Sequence, residues 1–221
     1  MGEWIRLTAA DGHEMTAYES DPGHASRGLV VVQEIFGVNA HMRDVVDGFA
    51  AAGYRAVAPA LFDRVEPGAE LDYDADGVAR GRDIRSQVSW DDAVADVAAA
   101  VGHLADAGPV AVVGYCYGGS VAYLASARLE IAAAVGYYGG QIVQFLDEVP
   151  RSPLMLHFGD SDSAIPLTDV AAIGAACPDV ARHVYEGAGH GFNCDRRASY
   201  HEAAAALARD RTLSFLALVM G

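Results

Sequence analysis

Short runs of β-branched residues alternate along this chain with longer alanine-rich stretches in which apolar residues recur at helical spacing. This alternation is typical of the α/β class, in which a mostly parallel central sheet is covered by helices on both faces. Most of the predicted strands are nearly all apolar, so we expect them to be buried on both sides. They span residues 29–34, 55–58, 110–114, 132–137, 154–158 and 182–185.

The alternation predicts five helices, and two stretches depart from it. The helices are expected near residues 41–52, 90–107, 118–128, 166–176 and 199–219. Residues 4–7 and 14–18, separated by Asp11-Gly12, predict an N-terminal antiparallel hairpin. Residues 63–88 are rich in Asp, Arg and Gly without a clear period, which predicts a loop or lid. Because the sequence shows neither a repeat nor a linker, we predict a single domain over residues 1–221.

Charge and composition exclude several functions. All 15 basic residues among the 221 are arginines, and 30 acidic residues bring the net charge to −15. Without lysine there is no Schiff-base nucleophile, no phosphate-loop lysine and no Ser-Lys dyad, and we expect no cofactor. A chain this acidic repels polyanions, so we expect no nucleic-acid partner.

The N-terminal sequence and the cysteines indicate a cytoplasmic protein. Residues 1–15 lack a basic region followed by an apolar stretch, so we expect no secretory signal. No apolar run approaches the roughly 20 residues that span a bilayer, so we expect no membrane association. The spacing of Cys116, Cys177 and Cys194 fits neither a disulfide framework nor a CxxC metal site, which predicts free thiols. We expect a monomer or a small homo-oligomer.

A candidate nucleophile follows the predicted strand 110–114. Gly114-Tyr-Cys-Tyr-Gly118 has the spacing of the nucleophile elbow G-x-S-x-G, with Cys116 in the serine position. Small residues flank such a nucleophile because the strand-to-helix turn is tight. The N-terminus of the helix that follows stabilises a thiolate, and the next backbone N–H can donate to an oxyanion. A tight turn with a buried cysteine is the alternative interpretation of this segment alone.

An acid and a histidine follow in the order that α/β-hydrolases use: nucleophile, acid, histidine. The candidates are Asp162, after the strand 154–158, and His190, after the strand 182–185. Asp160 lies closer to its strand and competes as the acid, but the spacing of Asp162 before Pro166 resembles that of other hydrolases. Asp160 is then expected to shape the turn.

The other histidines and cysteines predict no further chemistry. His157 and His183 lie within predicted strands, where a packed, hydrogen-bonded imidazole is expected. A zinc site built from His190 and Cys194 would lack its third and fourth ligands, so no metal is predicted.

Taken together, these motifs resemble the dienelactone hydrolases, or carboxymethylenebutenolidases, a cysteine-dependent family with the α/β-hydrolase fold. The resemblance covers nearly the whole chain. It rests on Gln33-Glu-Ile-Phe-Gly-Val-Asn39, Gly114-Tyr-Cys-Tyr-Gly-Gly119, Val135-Gly-Tyr-Tyr-Gly139, Gly189-His-Gly-Phe192 and Arg211-Thr-Leu-Ser-Phe215.

The resemblance implies a role for each matching residue. Cys116 is the implied nucleophile, His190 the base and Asp162 the residue that orients it. Glu34 matches an extra carboxylate that partners the resting thiol, which stays neutral beside a buried anion until substrate displaces that carboxylate. A strand-end carboxylate facing water is the alternative for Glu34.

The resemblance also implies an oxyanion hole and a pocket. The backbone N–H groups of Ile35 and Tyr117 would form the oxyanion hole. Phe36 and Tyr138 would line the apolar wall, although aromatic residues near the core are expected in any case.

Two departures from the family concern the substrate. Cys194 stands where the family has an arginine that binds the substrate carboxylate, and Gly191 stands where it has a serine. Arg82 is one candidate replacement, and Arg80 and Arg85 lie with it in the segment 63–88. Arg196 and Arg197, close behind Cys194 in the sequence, are further candidates. For any one of them, a surface arginine balancing an acidic chain is the alternative.

The resemblance therefore implies hydrolysis of a lactone or activated ester, of the dienelactone-to-maleylacetate type, through a thioester. A broader carboxylesterase or thioesterase would use the same triad with a different pocket. A catalytically silent hydrolase fold that binds a small molecule or a protein is the alternative outside enzymes.

Overall fold

The computed structural model describes residues 2–221, and they cluster into two compact units that divide after Val112. The second unit comprises Val113–Gly221. The single domain over residues 1–221 stays a prediction, and residue 1 of that span lies outside the described residues.

The first unit contains the N-terminal hairpin and the first parallel pair of strands. Its strand order is β1-β2-β4-β3, with β1–β2 and β2–β4 antiparallel and β3–β4 parallel. The strands are β1 (Glu3–Thr8), β2 (Glu14–Ser20), β3 (Gly28–Val32) and β4 (Arg55–Pro59), and the helices are α1 (Ala40–Ala51), α2 (Ala75–Gln87) and α3 (Trp90–His103). Both tryptophans lie in this unit, Trp4 in β1 and Trp90 at the start of α3.

A strand that begins in the first unit leads into the second. This strand is β5 (Val110–Tyr115), and the order from it onward is β5-β6-β7-β8. The β6–β7 and β7–β8 pairs are parallel. The remaining elements are α4 (Tyr117–Arg128), β6 (Ala133–Tyr137), β7 (Leu154–Gly159), α5 (Leu167–Ala176), β8 (Ala181–Tyr185) and α6 (Glu202–Met220).

The predicted elements are present with small shifts at their ends. The hairpin and the mostly parallel strands after it confirm the predicted α/β class. Short polar side chains begin the helices of the first unit: those of Asn39, Asp74 and Ser89 accept hydrogen bonds from N–H groups in the first turns of α1, α2 and α3. β8 differs from the other central strands because most of its residues are only partly buried.

The prediction of a loop for residues 63–88 is wrong over half its length, because α2 occupies Ala75–Gln87. Its buried positions are Gly77, Gly81 and Ile84. Because glycines occupy most of the inner face of α2, apolar residues do not recur there at helical spacing. The sequence of this segment therefore resembles that of a loop. The segment is anchored at its start, where Arg64 makes two hydrogen bonds, of 2.7 and 2.9 Å, to the buried Asp96.

None of the helices among residues 2–221 is long and apolar enough to cross a membrane.

Candidate active site

Cys116 lies at a strained turn between β5 and α4. Its backbone adopts φ 53° and ψ −113°, a region that side chains other than glycine rarely occupy. The turn requires the flanking glycines: a Cβ on Gly114 would lie 1.8 Å from the carbonyl oxygen of Gly118, and one on Gly119 would lie 2.4 Å from that of Tyr137. The Cys116 N–H donates to the same Tyr137 oxygen at 2.9 Å. The local sequence therefore forces the thiol into the elbow.

The Cys116 thiol differs from the other two thiols in its surroundings. Cys116 is half-buried, whereas Cys177 and Cys194 are buried. It directly precedes α4, whose N-terminal backbone dipoles favour a negative charge on the sulfur. Tyr117 is the first residue of that helix. Its N–H is therefore one of the first-turn N–H groups that do not bond within the helix.

His190 links the thiol to a carboxylate. Its Nε2 lies 3.1 Å from Cys116 Sγ, and its Nδ1 lies 2.8 Å from Asp162 Oδ2. The side chain of Asp162 is fully buried, and its other oxygen accepts the N–H of Ala164 at 2.8 Å. Both carboxylate oxygens are thus held, which fixes the ring of His190. Asp160 instead accepts the N–H of Gly187 at 2.8 Å, which links the loop after β7 to the loop after β8.

The charge state of His190 follows from these two neighbours. Burial disfavours the imidazolium, but the Cys116 sulfur and the Asp162 carboxylate outweigh burial and raise the pKa of His190 to about 10. His190 is therefore protonated at neutral pH, 3.1 Å from the Cys116 sulfur. The arrangement is a cysteine sulfur beside an imidazole that a carboxylate orients, a set of groups that can attack an acyl carbon and then activate water.

Aromatic rings pack around the histidine. The Tyr138 ring centroid lies 5.2 Å from that of His190 and 5.4 Å from that of Phe192. Tyr138 is fully buried and has φ 40°. Apart from Cys116, no other non-glycine residue in the described chain has a positive φ. The predicted wall residue Tyr138 is therefore beside the base.

The other predicted site residues of the first unit follow β3. Glu34 is 1% exposed, so the alternative of a carboxylate facing water is wrong. Ile35 is half-buried, and its carbonyl oxygen lies against α2, where a Cβ on Gly81 would approach it to 1.9 Å. Phe36 is buried and packs against Tyr73 with ring centroids 4.5 Å apart. Tyr73 was missed, although it is the one aromatic residue in the segment 63–88.

The arginine candidates lie in different surroundings. Arg82 is exposed on α2, Arg80 pairs with Glu66 and Asp83, and Arg85 lies over the ring of Trp90. Arg197 lies against Gly191, the residue after His190: a Cβ on Gly191 would lie 2.5 Å from Arg197 Nη1 and 3.0 Å from Nε. Arg197 thus packs on the backbone next to His190, and Gly191 leaves room for it.

Comparisons with known proteins point to one family. Residues 15–220 match the family model described as "Dienelactone hydrolase family". A carboxymethylenebutenolidase from Pseudomonas putida is 36% identical over 226 residues, covering 97% of this chain and 96% of that protein. A crystal structure from Klebsiella pneumoniae, provisionally described as a dienelactone hydrolase, is 30% identical with a TM-score of 0.83 and covers 97% of this chain and 99% of that one. An esterase from Pyrococcus furiosus shares the fold, with a TM-score of 0.70 at 17% identity, over 100% of this chain and 93% of that one.

Proposed function

Because this chain belongs to the dienelactone hydrolase family and is a hydrolase of ester or lactone bonds, we propose that it opens an enol-lactone through a thioester on Cys116. The observation that carries the proposal is the continuous contact from Cys116 Sγ through His190 to Asp162, at 3.1 and 2.8 Å. It supports a triad with Cys116 as nucleophile, His190 as acid and base, and Asp162 as the residue that orients the ring.

The first half of the proposed reaction forms the thioester. The Cys116 thiolate attacks the lactone carbonyl, and backbone N–H groups hold the resulting oxyanion, with Ile35 and Tyr117 as the predicted donors. The carbon–oxygen bond of the ring then breaks, and an enolate leaves while still tethered to the acyl group. The proton on His190 passes to this enolate. An enolate is a good leaving group, so the step makes little demand on the acid.

The second half releases the product. Neutral His190 accepts a proton from water as the oxygen of that water adds to the thioester carbonyl. The carbon–sulfur bond breaks, the thiolate returns beside the imidazolium, and a carboxylic acid departs. No cofactor or metal takes part in this scheme. The proton that His190 gives to the enolate is replaced by one from the attacking water, so the triad ends as it began.

Glu34 is proposed to hold the resting thiol neutral. The proposal is supported by its burial: Glu34 is 1% exposed, and a buried anion disfavours a second negative charge in its surroundings. His190 lies at hydrogen-bond distance from the sulfur, which supports assigning the described geometry to the reactive state of the proposed cycle. Glu34 would act before substrate enters, and it would protect the thiol from oxidation in that state.

The substrate is proposed to carry a carboxylate. Arg197, whose guanidinium lies against Gly191, is the cation packed on the backbone next to His190. Arginine binds carboxylates through two parallel hydrogen bonds, which suits it to that role. Phe36 and Tyr138 are proposed to line the apolar part of the pocket, and Arg82, exposed on α2, stays a predicted contact.

The test follows hydrolysis of a dienelactone by its ultraviolet absorbance and of p-nitrophenyl acetate by release of p-nitrophenol. Cys116→Ala should reduce both rates to background. Cys177→Ala, which removes a buried cysteine outside the triad, should leave them near wild type. Background rates in the wild-type protein would contradict the enzymatic proposal and favour a silent binding fold. Rapid ester turnover with an inert dienelactone would replace the lactonase proposal with a broader carboxylesterase or thioesterase.

We also propose a cytoplasmic location, a monomer or small homo-oligomer, and no nucleic-acid partner. Three free thiols support a reducing compartment. A net charge of −15 disfavours association with polyanions.

A further inference from the structure

A buried chain of hydrogen bonds lies among β6, β7, β8 and α6. His157 Nδ1 lies 2.8 Å from the hydroxyl of Tyr185, and His157 Nε2 lies 3.1 Å from Thr212 Oγ1. Thr212 Oγ1 in turn lies 2.7 Å from the hydroxyl of Tyr137. His157 and Thr212 are 0% exposed and Tyr137 is 1% exposed. None of these side chains takes part in the proposed reaction.

The ring of His157 is neutral within this chain. Burial, with smaller contributions from His183 and Arg211, lowers the pKa of His157 to about 3, so the ring is neutral and has one donor and one acceptor. In either tautomer, one ring nitrogen of His157 donates and the other accepts, so Tyr185 and Thr212 together satisfy both nitrogens of the ring.

The chain is connected to the reactive cysteine through the backbone. The carbonyl oxygen of Tyr137 accepts the N–H of Cys116 at 2.9 Å, and the carbonyl oxygen of His157 accepts the N–H of Tyr138 at 2.7 Å. Tyr137 and Tyr138 are consecutive, so their dipeptide is held at three points: Cys116, His157 and Thr212. Cys116 and Tyr138 are the two non-glycine residues of the described chain with positive φ.

Strained residues of this kind persist only where their surroundings fix them. The ring of Tyr138 lies beside His190, so a shift of this dipeptide would move both the thiol and the ring that packs on the base. We propose that His157 and Thr212 are positioning residues that hold Cys116 and His190 in their reactive geometry through Tyr137 and Tyr138. The proposal rests on the triad proposed above.

The experiment compares Thr212→Val, which removes the hydroxyl at nearly constant volume, with Thr212→Ser, which keeps it. Thr168→Val makes the same change on the exposed surface of α5 and serves as the control. The first readout is the rate of iodoacetamide labelling of the Cys116 peptide as a function of pH, which needs no substrate. The second is kcat and KM for p-nitrophenyl acetate, measured well below each variant's Tm.

Thr212→Val should lower kcat about 10-fold with little change in KM, since misplacing reacting groups by a fraction of an ångström has effects of this order. It should also change the pH profile of labelling. Thr212→Ser and Thr168→Val should stay within about 2-fold of wild type. Tyr137→Phe removes the adjacent hydroxyl alone and should give a smaller change in the same direction, which keeps the proposal testable if Thr212→Val folds poorly.

A lower Tm for Thr212→Val with wild-type kcat and labelling profile would show that the chain only stabilises the fold, and would overturn the proposal. So would equal losses in Thr212→Val and Thr212→Ser. If the wild-type protein hydrolyses neither substrate, the proposed function fails, but labelling of Cys116 still reports whether the chain positions the thiol.

Discussion

The reactive residues depend on backbone conformations that only some neighbours allow. The sequence was sufficient to predict the elbow at Cys116, because the glycines around a tight strand-to-helix turn have a fixed spacing. It was also sufficient to pair His190 with the acid two residues beyond Asp160. The positive φ of Tyr138 could not be predicted, since a tyrosine carries no signal of left-handed backbone and the conformation is set by its tertiary contacts.

Arg197 and Gly191 allow a prediction about substrate charge. Gly191→Ala should displace the Arg197 guanidinium, because the new Cβ would lie 2.5 Å from Nη1. KM for an anionic lactone should rise about 10-fold, while KM for a neutral ester changes little. Steady-state kinetics with both substrates measures the difference.

Gly187→Ala is the matched control for that variant. Gly187 also has a positive φ, 70° against 76° for Gly191, but the nearest atom to its Cβ, His201 Nε2, lies at an ordinary 3.6 Å. The two variants therefore bear a similar backbone cost and differ in the clash with Arg197. An equal rise in KM for both variants, or for both substrates, would remove Arg197 from carboxylate recognition.

Among the elements, α2 shows the limit of pattern analysis. The strands could be predicted because parallel strands buried on both faces are continuous apolar runs, and most helices because they bury an apolar stripe. α2 packs through Gly77, Gly81 and Ile84 instead, so close backbone approach replaces side-chain burial. Contacts of that kind leave no periodic signal in a single sequence.

The close approach of α2 leads to a prediction about turnover. Gly81→Ala should push α2 away from the carbonyl oxygen of Ile35, which a Cβ would approach to 1.9 Å, and so reorient the Ile35 peptide. If the Ile35 N–H holds the oxyanion, kcat should fall by about 10²-fold with KM nearly constant. Gly102→Ala on α3, where a Cβ meets nothing within 4 Å, should retain kcat and gain about 0.5–1 kcal/mol of stability. Wild-type kcat in Gly81→Ala would contradict the role of Ile35.

For the whole molecule, the pKa values of two histidines shift in opposite directions, and both shifts make the free energy of unfolding depend on pH. The pKa of His157 is lowered to about 3 from 6.5, so the stability that it contributes is present above pH 6.5 and is lost as pH falls towards 3. The groups facing it are Tyr137 from β6, His183 and Tyr185 from β8, and Arg211 and Thr212 from α6. The pKa of His190 is raised to about 10, so its contribution is present below pH 6.5 and is lost as pH rises towards 10.

The free energy of unfolding should therefore be largest near neutral pH. Urea titrations at about pH 5, 7 and 9 measure it, and His157→Gln should flatten the acid side of the profile by removing the group that must gain a proton. His24→Gln, at an exposed histidine, is the control and should leave the slope unchanged. If the free energy of unfolding of His157→Gln fell between pH 7 and pH 5 as steeply as that of the wild type, this account would be contradicted.

The tryptophans and the cysteines lie in different units, so each unit has its own reporter of unfolding. Trp4 and Trp90 lie in the unit that ends at Val112, whereas Cys116, His190 and Asp162 lie in Val113–Gly221. Tryptophan fluorescence therefore follows denaturation of the first unit, and labelling of the Cys177 and Cys194 peptides, whose thiols are buried in the fold, follows that of the second. Superimposable transitions would mark one cooperative domain, and separated transitions would mark two.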